Sequence, residues 1–333
     1  MFKLFGNCRA TLLYFRRGLS LEHLRNRALI KISGTDAASY LQGLITNDMQ
    51  HLLLGKKCMY SMFLNTKGRV LYDTIVYRIE DNAFFIECDT EVVKSVERHL
   101  KMYKIRRQVD VTTLCDRYNV FALFETNMSS KVEDKNEDKS NVPLNLASDQ
   151  YIFCDPRTSL LGHRIIASKD LGIDKITSSC NVEIDSNKPE SYRWLRYFLG
   201  VGEGVSELPP GECFPLESNC DYLHGVSFHK GCYIGQELTA RTHHMGVIRK
   251  RLMPLNFLKV PSNYSVNDTI LSDGKNLGKL RGIEGTAGLA LLRIDQCLGL
   301  EEIKIGNGMA TTKKPAWWPL EAPKDILSAQ RND

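Results

Sequence analysis

The chain has 333 residues, of which 43% are hydrophobic and 25% charged, and a formal net charge of +5. That length calls for two or three packed units rather than one small core, and the composition is ordinary for a globular protein. The mild positive charge does not single out a nucleic-acid partner, and no run approaches the ~18 apolar residues of a spanning helix.

Residues 1–20 carry Lys3, Arg9, Arg16 and Arg17 and no acid, beside apolar Phe2, Leu4, Phe5, Leu12, Leu13, Tyr14 and Phe15. An acid-free, arginine-bearing, amphipathic start is expected to be a mitochondrial transit peptide; the alternative is a first helix of the mature domain. Residues 27–34 read as a strand, and 36–43 as a helix capped by Thr35 or Ser33 and closed by Gly43. Residues 58–64 and 69–79 read as strands joined by the turn Asn65-Thr66-Lys67-Gly68, with a third strand at 83–88. Val92, Val93, Val96 and Leu100 recur at helical spacing and predict an amphipathic helix from Thr90 through Tyr103. Further strand at 109–112 and 120–124 makes this an α+β unit.

Residues 129–141 are polar and mixed in charge, which predicts a solvent-facing insertion. Strands are expected at 151–153 and 162–167 around an Asp155-Pro156-Arg157 turn, and a helix at 191–199 stopping at Gly200. Beyond Arg249-Lys250-Arg251, short apolar runs alternate with Gly, Asn, Asp and Pro, the pattern of a small β-barrel or sandwich. Residues 287–293 are its strongest central strand, and Trp317-Trp318 read as a hydrophobic lid.

The densest chemistry lies in residues 229–246, His-Lys-Gly-Cys-Tyr-Ile-Gly-Gln-Glu-Leu-Thr-Ala-Arg-Thr-His-His-Met-Gly. Gly235 suits a positive φ or a close backbone approach, and a short helix is expected to start at Gln236, with Glu237 and Arg241 as an i,i+4 pair. Cys232 then falls on the loop before that helix, either as an activated thiol or as an inert buried one. The ten cysteines (8, 58, 88, 115, 154, 180, 213, 220, 232 and 297) include no Cys-x-x-Cys pair, which argues against a disulfide framework and fits a reducing compartment. Cys213, Cys220, His224, His229, Cys232, His243 and His244 crowd one third of the chain without the paired spacing of a structural zinc site. A single exposed thiolate that shares a soft metal or cluster with another protein is the better fit.

No glycine-rich nucleotide loop is present. Asp73, beyond the turn, reads either as a strand-end carboxylate able to hydrogen-bond a ring amine or as an edge residue exposed to water. Arg164, Arg241 and Arg249–Arg251 could attract a polyglutamate tail or an acidic partner, with solvated surface as the default.

Residues 229–246, together with Leu41-Gln42-Gly43-Leu44-Ile45-Thr46-Asn47-Asp48 and Phe63-Leu64-Asn65-Thr66-Lys67-Gly68-Arg69, resemble the folate-binding family related to glycine-cleavage T-proteins, in its branch of mitochondrial iron–sulfur cluster assembly factors. The likeness runs from about residue 24 to 320. It implies an α+β fold with two lobes over residues 24–245, both fed by the N-terminal section, and a C-terminal β-barrel over 246–325, around a folate-sized pocket. The implied function is maturation of 4Fe–4S proteins in the mitochondrial matrix. The implied partners are A-type scaffold proteins and recipient 4Fe–4S enzymes, with neither nucleic acid nor membrane insertion. Cys232 carries over as the key thiol and a shared cluster ligand (2Fe–2S or 4Fe–4S) with a partner. Asn47, Asp48, Asp73, Tyr233, Gln236, Glu237 and Arg241 carry over as loop or pocket residues, and tetrahydrofolate remains a candidate ligand. T-proteins carry a paired acidic motif after the turn; here Tyr72 stands beside Asp73, which speaks against turnover of a folate. The competing reading is a tetrahydrofolate-dependent aminomethyl or one-carbon transferase.

Overall fold

The structure is a computed structural model that describes residues 19–125, 150–180, 191–272 and 274–319. Most of the expected transit segment, all of the charged insertion at 129–141 and the end of the expected barrel beyond 319 lie outside the described residues.

The first two strands, β1 (Leu19–His23) and β2 (Arg27–Ser33), follow one another in the chain but enter different sheets. Residues 19 and 20, included in the expected targeting segment, are part of β1. Beyond β2 come α1 (Ala37–Gln42) and α2 (Gln50–Leu53), then β3 (Cys58–Leu64), β4 (Val70–Glu80) and β5 (Ala83–Asp89). Helix α3 (Val93–Lys104) and β6 (Asp110–Thr113) complete an antiparallel sheet of order β3-β4-β5-β2-β6. Helix α1 starts at Asp36 without a side-chain cap, not at the Thr35 or Ser33 expected from sequence. Val96 and Leu100 of α3 pack with Leu41, Phe63, Phe84 and Ile86 between helices and sheet.

The second sheet, of order β1-β7-β9-β8, is built from β7 (Tyr118–Glu125), β8 (Gln150–Cys154) and β9 (His163–Ser168), with β1 at its edge. Ile176 of α4 (Ile173–Cys180) packs against its Phe121, Ile152 and Ile165. Helix α5 (Tyr192–Leu199) is capped by Ser191, whose hydroxyl accepts from the Trp194 N–H, and ends on Gly200 in the left-handed region. After a long irregular segment and α6 (Gln236–Met245) comes the third unit. It contains β10 (Lys250–Lys259), β11 (Thr269–Ser272), β12 (Lys275–Glu284), β13 (Ala287–Arg293), a short α7 (Ile294–Cys297), β14 (Ile303–Ile305) and β15 (Gly308–Thr312). The order β11-β12-β13-β10-β15-β14, with β11 beside β14, curls this sheet into a barrel. The expected α+β architecture with a C-terminal barrel is therefore met.

One apolar core runs through all three units, from Tyr60, Tyr77 and Phe85 through Phe124 and Phe153 to Leu195, Leu255 and Leu289. Trp317 closes it and donates its indole N–H to the Leu199 carbonyl at 2.7 Å.

Where the units meet, the interior is charged. Arg27 on β2 bonds Glu87 on β5 at 2.8 Å and Asp73 on β4 at 3.3 Å. Arg157 is bidentate on Asp155 at 2.9 and 2.7 Å and pairs with Glu203 at 2.9 Å. Arg164 on β9 also donates to Glu203, and Arg196 on α5 grips Glu207 at 2.5 and 2.9 Å. All nine side chains are buried. Burial opposes charge on Glu203, but Arg164, Arg157 and Arg196 outweigh it and hold its carboxyl well below the usual range. This overturns two expectations. Asp73 is neither at a strand end nor at a wet edge, and Arg164 is not a solvated attractor of acidic partners. Each lies at 4% exposure or less with opposite charges against it, because a charge in this interior persists only when paired. Arg251 likewise is buried and bidentate on Asp221 at 2.8 and 2.9 Å, leaving Arg249 as the exposed arginine of that run.

Candidate functional site: the clamped Cys232 loop

Cys232 is exposed on the loop that precedes α6. Five other thiols are buried: burial pushes Cys213 and Cys297 up to about 11 and Cys88 up to about 12, and raises Cys58 and Cys220 as well. A thiolate is the ligand and nucleophile form of cysteine, and among the described residues Cys232 is the exposed thiol, placed for outward chemistry.

The loop is held by backbone groups of the first unit. The ammonium of Lys230 donates to the carbonyls of Gln42, Ile45 and Asn47, each at 2.7 Å, and lies 4.9 Å from the centre of the Tyr233 ring. Burial draws that ammonium down to about 8 while Asp48 pulls it back. The Ile234 N–H bonds the Gly43 carbonyl at 3.1 Å, and the Ser227 N–H the Thr46 carbonyl at 3.1 Å. Thr46 donates its hydroxyl to the Gly225 carbonyl at 2.6 Å. Asn47 uses its amide N–H groups on the Tyr60 and His224 carbonyls at 2.7 and 2.8 Å, while its oxygen accepts from the Asp48 N–H at 2.9 Å. Residues 42–47 are thus the anvil on which the cysteine loop rests.

Gly235 ends the loop with φ 79°, in the left-handed region. A Cβ there would lie 2.2 Å from the Asn65 carbonyl oxygen, so glycine answers both a conformational and a packing demand. The hairpin turn supplies the other wall: Asn65 Oδ1 accepts from the N–H groups of Lys67 and Arg69 at 2.9 and 3.0 Å. Gln236 opens α6 and turns its side-chain oxygen back onto the Tyr233 N–H at 3.1 Å.

The structure therefore brings together Asn47, Asp48, Tyr233, Gln236 and Cys232. Glu237 and Arg241 are exposed on α6, where they do not form the expected ion pair. Asp73 belongs to the central ion cluster, its oxygens taken by Arg27 and by the Gly204 N–H at 3.1 Å. Lys230 had no role assigned from sequence; only its position two residues before Cys232 pointed to it. Among the described residues no three His, Cys, Asp or Glu side chains converge on a metal-binding arrangement. His243 instead stacks on Phe228, with ring centres 3.5 Å apart.

The polar atoms of Asn47 and Asp73 are engaged internally. A small cavity of about 120 Å³ beside the central cluster is lined by Glu22, Asn26, Tyr192, Arg193, Arg196 and Glu284 among others.

Comparison with known proteins shows the family and the fold. A family model for the GCVT N-terminal domain matches residues 8–125, and one for the CAF17 C-terminal beta-barrel domain matches residues 249–320. The chain is 37% identical over 324 residues to the mouse protein "Iron-sulfur cluster assembly factor IBA57, mitochondrial", covering 90% of this chain and 85% of that one. The human protein of the same name is 37% identical over 313 residues, covering 89% and 84%. Among solved structures, glycine cleavage system aminomethyltransferase T from Bartonella henselae superposes with a TM-score of 0.67 at 14% identity, covering 90% of this chain and 87% of that one, a likeness of fold.

Proposed function

The chain belongs to the family of mitochondrial iron–sulfur cluster assembly factors, and from that membership we propose that Cys232 lends one thiolate to a cluster while it is built on a partner protein. The observation that carries this reading is an exposed, solitary thiol on a loop whose backbone is fixed from both sides. A thiolate is a soft ligand for iron, and one thiolate leaves most coordination positions of a cluster to another protein. The cluster is cargo, and a half-site of this kind can let it go.

The partners this chemistry asks for carry the remaining thiolates, as A-type scaffold proteins do, and the recipients are 4Fe–4S enzymes of the matrix. Lys230, Asn47 and Gly235 act through the loop. They fix the height and direction of Cys232, so that partner docking does not have to order it first. Asp73 and its neighbours are a structural junction in this reading, and no step passes through a folate.

The test is anaerobic co-purification of the full chain with a reduced A-type scaffold, iron and sulfide, followed by iron and sulfide analysis and visible absorbance. Wild type is expected to yield a complex with a bridging cluster. Cys232→Ser should keep its fold and lose the cluster from the complex. A serine variant that assembles clusters as well as wild type would sink the proposal.

A further inference from the structure

We propose that the end of the first sheet remote from Cys232 docks peripherally on an anionic phospholipid bilayer. Two tips project there. One is the α2–β3 connection, with Leu54 at 84% exposure followed by Lys56 and Lys57; the other ends α3, with Met102 at 63% and Ile105 at 82% among Lys101, Lys104, Arg106 and Arg107.

Strand register puts both tips at one end of the sheet. The Lys57 carbonyl accepts from the Arg78 N–H at 2.8 Å, Arg78 pairs with Phe84, and Ser33 pairs with both Ala83 and Asp110. The residues before β3 and before β6 therefore emerge at the same end of the sheet, at its two opposite edges, roughly 19 Å apart at ~4.8 Å per strand. The other end of β3 leads to the turn that packs on Gly235. Seven residues of strand separate the two ends by roughly 23 Å at ~3.3 Å per residue. A protein resting on these tips keeps Cys232 turned towards the aqueous side.

The tips display apolar side chains that stand exposed. Ile105 has φ 46° and ψ −105°, a backbone state that β-branched residues avoid, and it holds the side chain outward. The charge around them is complementary to phosphate. Asp81 is taken by Arg78 at 2.7 Å, Glu97 by Lys101 at 2.6 Å and Asp110 by Lys104 at 3.8 Å. Lys56, Lys57 and Arg106 have no ion-pair partner among the described residues, and neither do two acids at the same sheet end, Glu80 and Asp36, the latter accepting from the Gln108 N–H at 2.8 Å. Apolar side chains ringed by cations on a protruding surface match an interface of acyl chains under anionic headgroups. A peptide partner would instead ask for a groove. No helix among the described residues is long and apolar enough to cross a membrane, so the attachment proposed is to the surface.

Flotation of the full chain with phosphatidylcholine vesicles, with and without phosphatidylglycerol, tests this. Binding is expected only with phosphatidylglycerol and should fall as salt rises. Lys56→Gln and Arg106→Gln should each weaken it about fivefold, the equivalent of one basic side chain at an anionic surface. The double variant Met102→Ser/Ile105→Ser should weaken it about tenfold or more by removing insertion. All these positions are exposed, and far-UV circular dichroism checks that each variant is folded. No flotation overturns the proposal. So does binding indifferent to Met102 and Ile105 and displaced by polyglutamate, which would mark a dock for an acidic protein. Sedimentation showing a dimer that the double serine variant abolishes would assign the tips to a second copy instead.

Discussion

Gly235 and Gly68 pack face to face: a Cβ on Gly68 would lie 3.0 Å from the Gly235 carbonyl oxygen, and one on Gly235 would lie 2.8 Å from Leu64 Cβ. Both glycines have positive φ, 79° at Gly235 and 74° at Gly68. The cysteine loop and the β3–β4 turn are therefore seated on each other through bare backbone. Gly235→Ala adds left-handed strain of roughly 1–2 kcal/mol to a steric clash, so a loss of about 2 kcal/mol or more is expected. Urea unfolding reads this directly, and a loss below about 0.5 kcal/mol, the range of a neutral surface change, would contradict the packing described.

Lys230→Met removes the donor that three carbonyls share and should cost about 1–3 kcal/mol. Lys230→Arg is not expected to rescue it, because a planar guanidinium cannot aim one tetrahedral head at three converging oxygens. Hydrogen exchange provides the local readout: the Ile234 amide, bonded to Gly43, should lose protection in both variants. Unchanged protection would mean that the loop is held without Lys230.

Alkylation of the native protein with iodoacetamide should modify Cys232 well before Cys58, Cys88, Cys213, Cys220 or Cys297. Those five are buried and their thiols are held protonated. Mass spectrometry of partially modified protein gives the order. Labelling of Cys220 or Cys58 ahead of Cys232 would refute the burial pattern.

Acid should attack the central ion cluster. Unfolding returns Glu203 and Asp155 to ordinary values of 4.5 and 3.8, whereas in the fold both are depressed: burial works against their charge, and the arginines beside them outweigh it. Their contribution is thus complete above the unfolded values and is lost as pH falls through the folded ones, so stability should decline below about pH 5. Glu203→Gln leaves Arg164 and Arg157 short of a counter-charge and should cost about 3–5 kcal/mol near neutral pH. It should also make the acid-side decline shallower, as urea midpoints across a pH series would show.

The sequence made the local elements legible and left the long-range pairings hidden. Alternation over 58–64 and 69–79 with an Asn-x-x-Gly turn exposes the hairpin, and helical spacing from Val92 to Leu100 exposes α3. Gly235 and the start of α6 were readable because a glycine and a helix opening are short-range events. Asp73 and Arg164 were not. Their burial depends on Arg27, 46 residues before Asp73, and on Glu203, 39 residues after Arg164, and nothing nearby in the chain announces either partner. Lys230 was in view within the motif, but its acceptors are backbone carbonyls more than 180 residues away, which have no signature in side-chain pattern.

The divergence of β1 and β2 into separate sheets bears on how the molecule reaches its fold. Leu19 pairs with Glu125, roughly a hundred residues later, while Arg27, just past a tight turn, pairs with Asp89. The first sheet is complete within the contiguous residues 27–113, but the second takes β1 from before that segment and β7 from after it, so it waits on the closure of a long loop, and such topologies fold slowly. A chain that delays in that way exposes unpaired strand edges for longer, which makes its newly released N-terminal strands the place where a chaperone would have most to protect.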